Sequence, residues 1–103
     1  MATPTETKEA FYQKLAASFL EKNLSLPYIV AVTGCHLSEN SRHATVFVRT
    51  FPENKVIEAV DVANREKGLL RKEAAKESRG RFVPDFVFKQ DPSENIDTIL
   101  NRQ

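Results

Sequence analysis

The spacing of apolar positions divides this chain into segments with a helical period and segments that alternate. The first helical segment opens at Thr3-Pro4-Thr5-Glu6, which has the form of a capping box, and it runs to about Asn23. Its apolar positions recur at i, i+4 and i+8, with neighbours that widen the stripe: Phe11, Tyr12, Leu15, Ala16, Phe19 and Leu20. We expect this stripe to face the core.

Two segments rich in β-branched residues follow, 28–37 and 42–51, and the polar residues 38–41 separate them. This pattern predicts an antiparallel hairpin. If Leu37 lies opposite Arg42, one face of the hairpin is small and apolar and faces a helical layer. That face carries Cys35, Leu37, Ala44, Val46 and Val48. The other carries Tyr28, His36, His43, Thr45, Phe47 and Arg49.

The second half predicts a broken helix, a strand and a short tail helix. Helical spacing begins after Pro52 and includes Val56, Ile57 and Val60. Gly68 interrupts it, because glycine costs about 1 kcal/mol relative to alanine inside a helix. Helical spacing resumes with Leu69 and Leu70 and stops near Gly80; residues 81–89 then alternate as a strand, and a last helix begins at Asp91. The whole order predicts an α+β fold with a three-stranded sheet and helices on one face.

Length and composition restrict the class of protein. The 103 residues fit one domain, with an expected core over about residues 5–90 and a tail over 91–103. No apolar run is long enough to cross a membrane, the N-terminus does not resemble a secretory signal, and Cys35 has no disulfide partner. These features predict an intracellular, cytoplasmic protein. The net charge of +1 means that any nucleic-acid binding requires a local patch.

Positive charge is concentrated in residues 64–81, which contain seven basic and three acidic side chains. The basic residues are Arg65, Lys67, Arg71, Lys72, Lys76, Arg79 and Arg81. Their i, i+4 spacings allow them to line one side of a bent helix pair, which favours an anionic partner. On charge alone, an ordinary solvent-exposed helix face explains this cluster of basic residues equally well.

Other candidate chemistry is sparse. The three glycines form no phosphate-binding motif, and Cys35 is expected to be a buried, inert thiol. His36 and His43 would face each other across the hairpin with Glu39 nearby, which are ligand types that zinc accepts. Two ligands without a clear third favour histidines on a solvated sheet face. We therefore predict no catalytic residue, no metal and no cofactor, with a metal-dependent enzyme as the weakest interpretation.

Four segments resemble the ribosome-binding factor A family: residues 32–38, 43–48, 67–71 and 81–88. They are similar to the family patterns V-x-L-S-x-D, A-x-V-x-V, G-F/L-L/I-R and R-x-V-P-E-L-x-F, in that order. The resemblance implies a type II KH-like domain with a helix-kink-helix at Gly68. It also implies a non-catalytic assembly factor that binds the immature small ribosomal subunit and its rRNA. Such factors assist late rRNA maturation, notably in the cold.

The chain departs from the family pattern at three positions: Glu66 replaces the alanine of the kink, Asn40 an aspartate and Asp85 a glutamate. Within this interpretation the seven basic residues of segment 64–81 bind RNA phosphates, and Gly68 lets the backbone approach. We expect a monomer without a membrane or small-molecule partner. The alternative is a small protein-interaction module that uses the open sheet face without nucleic acid.

Overall fold

A computed structural model of the chain describes residues 4–78 and 82–92. Its elements are α1 (Pro4–Asn23), β1 (Ile29–Leu37), β2 (His43–Phe51), a 3-10 turn (Glu53–Lys55), α2 (Val56–Arg65), α3 (Lys67–Glu77) and β3 (Asp85–Gln90). The sheet order is β1-β2-β3, antiparallel between β1 and β2 and parallel between β2 and β3. The predicted α+β fold is confirmed. The capping residue Thr3 and most of the predicted tail helix lie outside the described residues.

The helices cover one face of the sheet, and the core lies between the two layers. α1 packs on β1, whereas α2 and α3 pack on β3. The core side chains include Ala16, Phe19, Val46, Val48, Leu70, Ala74, Phe86 and Phe88. Helical spacing placed Phe11, Ile57 and Leu69 with the core, but their side chains are exposed to solvent. None of the described helices has the length and apolarity needed to cross a bilayer.

The predicted hairpin register is wrong by two residues, because Leu37 lies opposite Ala44 rather than Arg42. A shift of two leaves every side chain on its predicted face, so Leu37, Ala44, Val46 and Val48 are buried as expected. The shift also places His36 opposite Thr45, so the two histidines do not face each other directly.

A bulge between Val32 and Gly34 changes the alternation of β1. On the N-terminal side of the bulge Val30 and Val32 pack against the core, and on its other side Cys35 packs there. The sequence interpretation placed Tyr28 on the open face. The structure places it on the helical side, where its hydroxyl donates a hydrogen bond to Glu58 of α2 at 2.7 Å.

The third strand is shorter than predicted and begins at Asp85, after Pro84. Pro84 therefore removes no hydrogen bond from the ladder. The outer edge of β3 is blocked at Phe88 by Asn64 of α2, whose side-chain amide donates to Phe88 O at 3.0 Å and accepts from Phe88 N at 2.8 Å. This pair of hydrogen bonds fixes the C-terminal end of α2 against the sheet and blocks part of an otherwise open strand edge.

The bend between α2 and α3 lies at Glu66, two residues before the predicted break at Gly68. Glu66 has φ −101° and ψ 4°, a bridge-region conformation that non-glycine residues adopt. Its carbonyl accepts from the amide of Leu69 at 2.9 Å, which begins α3. A Cβ added to Gly68 would meet nothing within 4 Å, so the bend itself does not require glycine at that position.

Candidate nucleic-acid interface

Most residues of the predicted RNA-binding site lie beside the bend between α2 and α3. Of its eight residues, six are described and all six are exposed: Arg65, Lys67, Gly68, Arg71, Lys72 and Lys76. Arg65 ends α2, and the other five belong to α3. Arg79 and Arg81 lie outside the described residues. The structure therefore brings the described part of the predicted set together at one corner of the molecule.

The cations of α3 form two rows rather than the single row predicted. At about 100° per residue, Lys72 and Lys76 lie roughly 140° around the helix from Lys67 and Arg71. We call Lys67 and Arg71 the cleft row and Lys72 and Lys76 the outer row. Leu70 and Ala74 occupy the side that packs into the core. This buried side lies about 60° around the helix from the cleft row and about 160° from the outer row, which is nearly opposite it. A polyanion that contacted both rows would wrap around the exposed side of α3.

The cleft row borders a cleft of about 360 Å³ between the first turn of α3 and the start of β3. Its lining consists of His43, Lys67, Gly68, Arg71, Asp85, Phe86 and Val87. The parallel register of the sheet pairs His43 with Asp85 and so brings an imidazole and a carboxylate to the cleft. Neither residue belonged to the predicted site, because the sequence carries no local signal of parallel pairing.

Arg71 holds the cleft in shape. Its Nε lies 3.2 Å from Asp85 Oδ1, and its Nη2 donates to the carbonyl of Val83 at 3.3 Å. These contacts tie α3 to the segment that enters β3. A guanidinium has five N–H donors, so Arg71 keeps donors for an anion while it makes both contacts. We therefore assign it a positioning role in the cleft.

Arg65 is paired with a neighbour, whereas the lysines of α3 have no ion-pair partner among the described residues. Its Nη2 lies 2.7 Å from Asp61 Oδ2, in an exposed i, i+4 pair. Such pairs contribute only about 0.3–0.5 kcal/mol, so a phosphate can replace Asp61 at little cost. Lys67, Lys72 and Lys76 form no ion pair with any other residue in the ranges 4–78 and 82–92. Among the described cations of this corner, these ammonium groups are the most available.

The two histidines and the cysteine that the sequence offered as candidate chemical groups lie in separate surroundings. His36 Nδ1 lies 3.7 Å from Glu9 Oε2, whereas His43 belongs to the cleft. Within the described part of the chain, no group of three or more His, Cys, Asp or Glu residues is placed to hold a metal ion. Burial, with a smaller contribution from the negative charge of Glu9, raises the pKa of the Cys35 thiol to about 11. At neutral pH this thiol is protonated and a poor nucleophile.

Comparison with known proteins relates this chain to one family. The model of the family "Ribosome-binding factor A" matches residues 5–100. The ribosome-binding factor A of Geobacter metallireducens is 35% identical over 99 residues, which cover 89% of this chain and 83% of that protein.

Solved structures of that family share the fold. The crystal structure of ribosome-binding factor A from Thermus thermophilus superposes with a TM-score of 0.72 at 22% identity, over 85% of this chain and 97% of that one. A homology model of the Thermus thermophilus factor, fitted into a cryo-EM map of a 30S–RbfA complex, superposes with a TM-score of 0.65 at 23% identity, over 79% of this chain and 88% of that one. The α+β arrangement described above is thus the KH-like fold of these proteins, and the chain belongs to the ribosome-binding factor A family.

Proposed function

We propose that this chain is a ribosome assembly factor that binds the immature small ribosomal subunit through its rRNA and assists late maturation of that RNA. Family membership supports the proposal. So does the Thermus thermophilus neighbour, which was fitted into the map of a complex with a 30S subunit. The proposed role is one of binding and requires no catalytic group, so we expect no enzymatic activity. It is exercised in the cytoplasm, where ribosomal subunits assemble.

The observation that carries the proposal is the set of unpaired lysines on α3. Lys67, Lys72 and Lys76 are exposed, lack ion-pair partners among the described residues, and lie on the exposed side of one short helix. Phosphates of RNA bind such groups with release of condensed counterions, which supplies most of the sequence-independent affinity. Arg65 and Arg71 add donors at the two sides of the bend. Arg79 and Arg81 complete the proposed contact.

The cleft adds a place for a segment of unpaired RNA beside the cationic rows. Even-numbered residues of β3 direct their peptide groups away from β2, because Asp85 N donates to the carbonyl of Arg42, just before β2, and Asp91 N, just after β3, donates to Val48 O, both at 2.9 Å. Asn64 occupies those groups at Phe88, but those of Phe86 border the cleft without a partner in the described residues. Single-stranded RNA offers base edges that such peptide groups can bind.

One observation favours the alternative of a protein-interaction module. Ile29 and Phe51 lie directly opposite each other on the face without helices, and they are 64% and 73% exposed. Exposed apolar pairs of this kind occur at protein contacts. Two such residues with polar and charged neighbours are a weaker indication than the lysine cluster, so we rank RNA binding first.

Salt dependence separates the two functions. We expect co-sedimentation with immature small subunits to weaken about 30-fold between about 100 and 200 mM monovalent salt, as about seven phosphate contacts to single-stranded RNA require. Naked precursor rRNA should show the same slope. Binding to the subunit that is insensitive to salt and absent with naked RNA would reject the RNA-phosphate proposal and favour the sheet face.

A further inference from the structure

The outer edge of β1 is open at its N-terminal half. Asp91 N donates to Val48 O, so even-numbered residues of β2 direct their peptide groups toward β3 and odd-numbered ones toward β1. The register pairs Arg49 with Ala31 and Phe51 with Ile29, which leaves the peptide groups of Val30 and Val32 pointing away from the sheet. No described residue bonds to those groups.

This edge also lacks the usual protection against pairing. Natural edge strands carry prolines or charged side chains, or are covered by another element. β1 contains no proline, lysine, arginine or carboxylate. Glu9 of α1 blocks only the far end, where its Oε2 accepts from Leu37 N at 2.8 Å. The bulge at Gly34 separates that blocked end from the open one.

A trough of about 400 Å³ runs beside the open half of this edge. On the α1 side its lining includes Ala17, Leu20, Glu21, Leu24 and Leu26. Since Val30 and Val32 direct their side chains toward the helices, a strand added to this edge would place alternate side chains toward the trough. The trough is mostly apolar, so it suits small branched side chains such as valine.

The charges of the trough are acidic. Glu21 lies in its wall and has no ion-pair partner in the described residues. Tyr28 also lines the trough and donates a hydrogen bond to Glu58 of α2; burial, and then this hydrogen bond, raise the pKa of the Tyr28 hydroxyl to about 12. An occupant with lysine or arginine near one of its ends would complement the carboxylate of Glu21.

We propose that the edge of β1 at Val30 and Val32, together with this trough, binds an extended peptide segment of a partner protein as a fourth, antiparallel strand. The segment has valine-like residues on the helical side and a basic residue near one of its ends. Main-chain hydrogen bonds supply the affinity of such strand addition, and the alternate side chains supply its specificity. The site is distinct from the cationic corner on α3 and does not depend on RNA binding.

The test uses the full chain, labelled with ¹⁵N, and the acetylated, amidated heptapeptide Lys-Thr-Val-Thr-Val-Thr-Lys. In the free chain the amides of Val30 and Val32 should exchange rapidly with solvent, because they lack acceptors. Saturating peptide should slow their exchange at least about tenfold, since each gains a backbone hydrogen bond. A peptide with both valines N-methylated keeps the side chains but loses two donors, and it should not bind.

A charge exchange tests the role of Glu21. The Glu21→Lys variant should bind the lysine peptide more weakly and the corresponding Glu-Thr-Val-Thr-Val-Thr-Glu peptide more tightly than the wild-type chain does. Equal binding of the methylated peptide, or no change at Val30 and Val32 at millimolar peptide, would overturn the proposal. Slow exchange of both amides in the free chain would overturn it too, since the edge would then be covered by a second copy or by the chain's own remaining residues. Sedimentation equilibrium would show which of the two covers it.

Discussion

Replacement of Lys67, Lys72 and Lys76 by glutamate is expected to weaken binding to the immature small subunit by at least about 100-fold near physiological salt. Each change removes a cation and puts a carboxylate beside the RNA phosphates. Losses of about 1 kcal/mol of binding free energy per site add to about 3 kcal/mol, which corresponds to a factor of at least about 100 in affinity. All three side chains are exposed and unpaired within the described part of the chain. The free energy of unfolding should therefore change by no more than about 1 kcal/mol. Co-sedimentation and urea denaturation measure the two effects.

A matched variant separates the position of the charges from their number. Lys14, Lys22 and Lys55 are also exposed, but they lie on α1 and the 3-10 turn rather than on α3. Their replacement by glutamate produces the same change in net charge and should weaken binding far less. Equal losses in the two triple variants would show that overall charge, and not the corner at α3, determines affinity. Arg71 is kept in both variants because it also holds α3 to β3.

The Leu70→Ala substitution is expected to lower the free energy of unfolding by about 3 kcal/mol, within the range of roughly 2–5 for buried leucines. Leu70 has no exposed surface and is among the largest fully buried side chains. It lies on the side of α3 that faces the core, beside the cleft row and away from the outer row. Its truncation leaves a cavity under the helix that presents the lysines. Urea denaturation followed by far-ultraviolet circular dichroism measures the change.

Leu69→Ala provides the control for this effect. Leu69 is the neighbouring residue of α3 but is 45% exposed, so its truncation should cost about 1 kcal/mol or less. Similar losses for the two leucines would contradict the orientation of α3 described here. With Leu70→Ala, subunit binding measured well below the unfolding midpoint should fall less than in the lysine variant, because every proposed contact residue is still present.

Periodicity predicted the order of the elements and the buried faces of the hairpin, but not its register. A shift of two residues preserves every side-chain orientation, so the pattern of Ala44, Val46 and Val48 fits either register equally well. The turn geometry decides between them, and Ser38 N bonds to His43 O at 2.9 Å to close the observed one. Gly34 was the available signal for the bulge, because an isolated glycine in a strand often marks one.

The bend was predicted at Gly68, the wrong position, because glycine has a low intrinsic propensity for the helix interior. Glu66 makes the bend in a conformation that costs a non-glycine residue little, whereas Gly68 lies within α3 with open space around it. Glutamate at the family's alanine position is thus compatible with the bend.

The cationic residues of the candidate site could be predicted from the sequence, but their arrangement could not. The charge cluster predicted which side chains would lie together at the corner. It did not predict the pairing of Arg71 with Asp85, because that contact depends on the parallel pairing of β2 with a strand from the other end of the chain. The cleft and its histidine, His43, follow from the same long-range pairing.

The most direct test of the proposed RNA contact is site-specific photocross-linking on the immature small subunit. A benzophenone amino acid at position 72, in the outer row, is expected to cross-link to rRNA, whereas the same amino acid at position 22 of α1 should give little RNA product. Cross-links from position 72 to protein alone, or equal RNA products from both positions, would contradict the account.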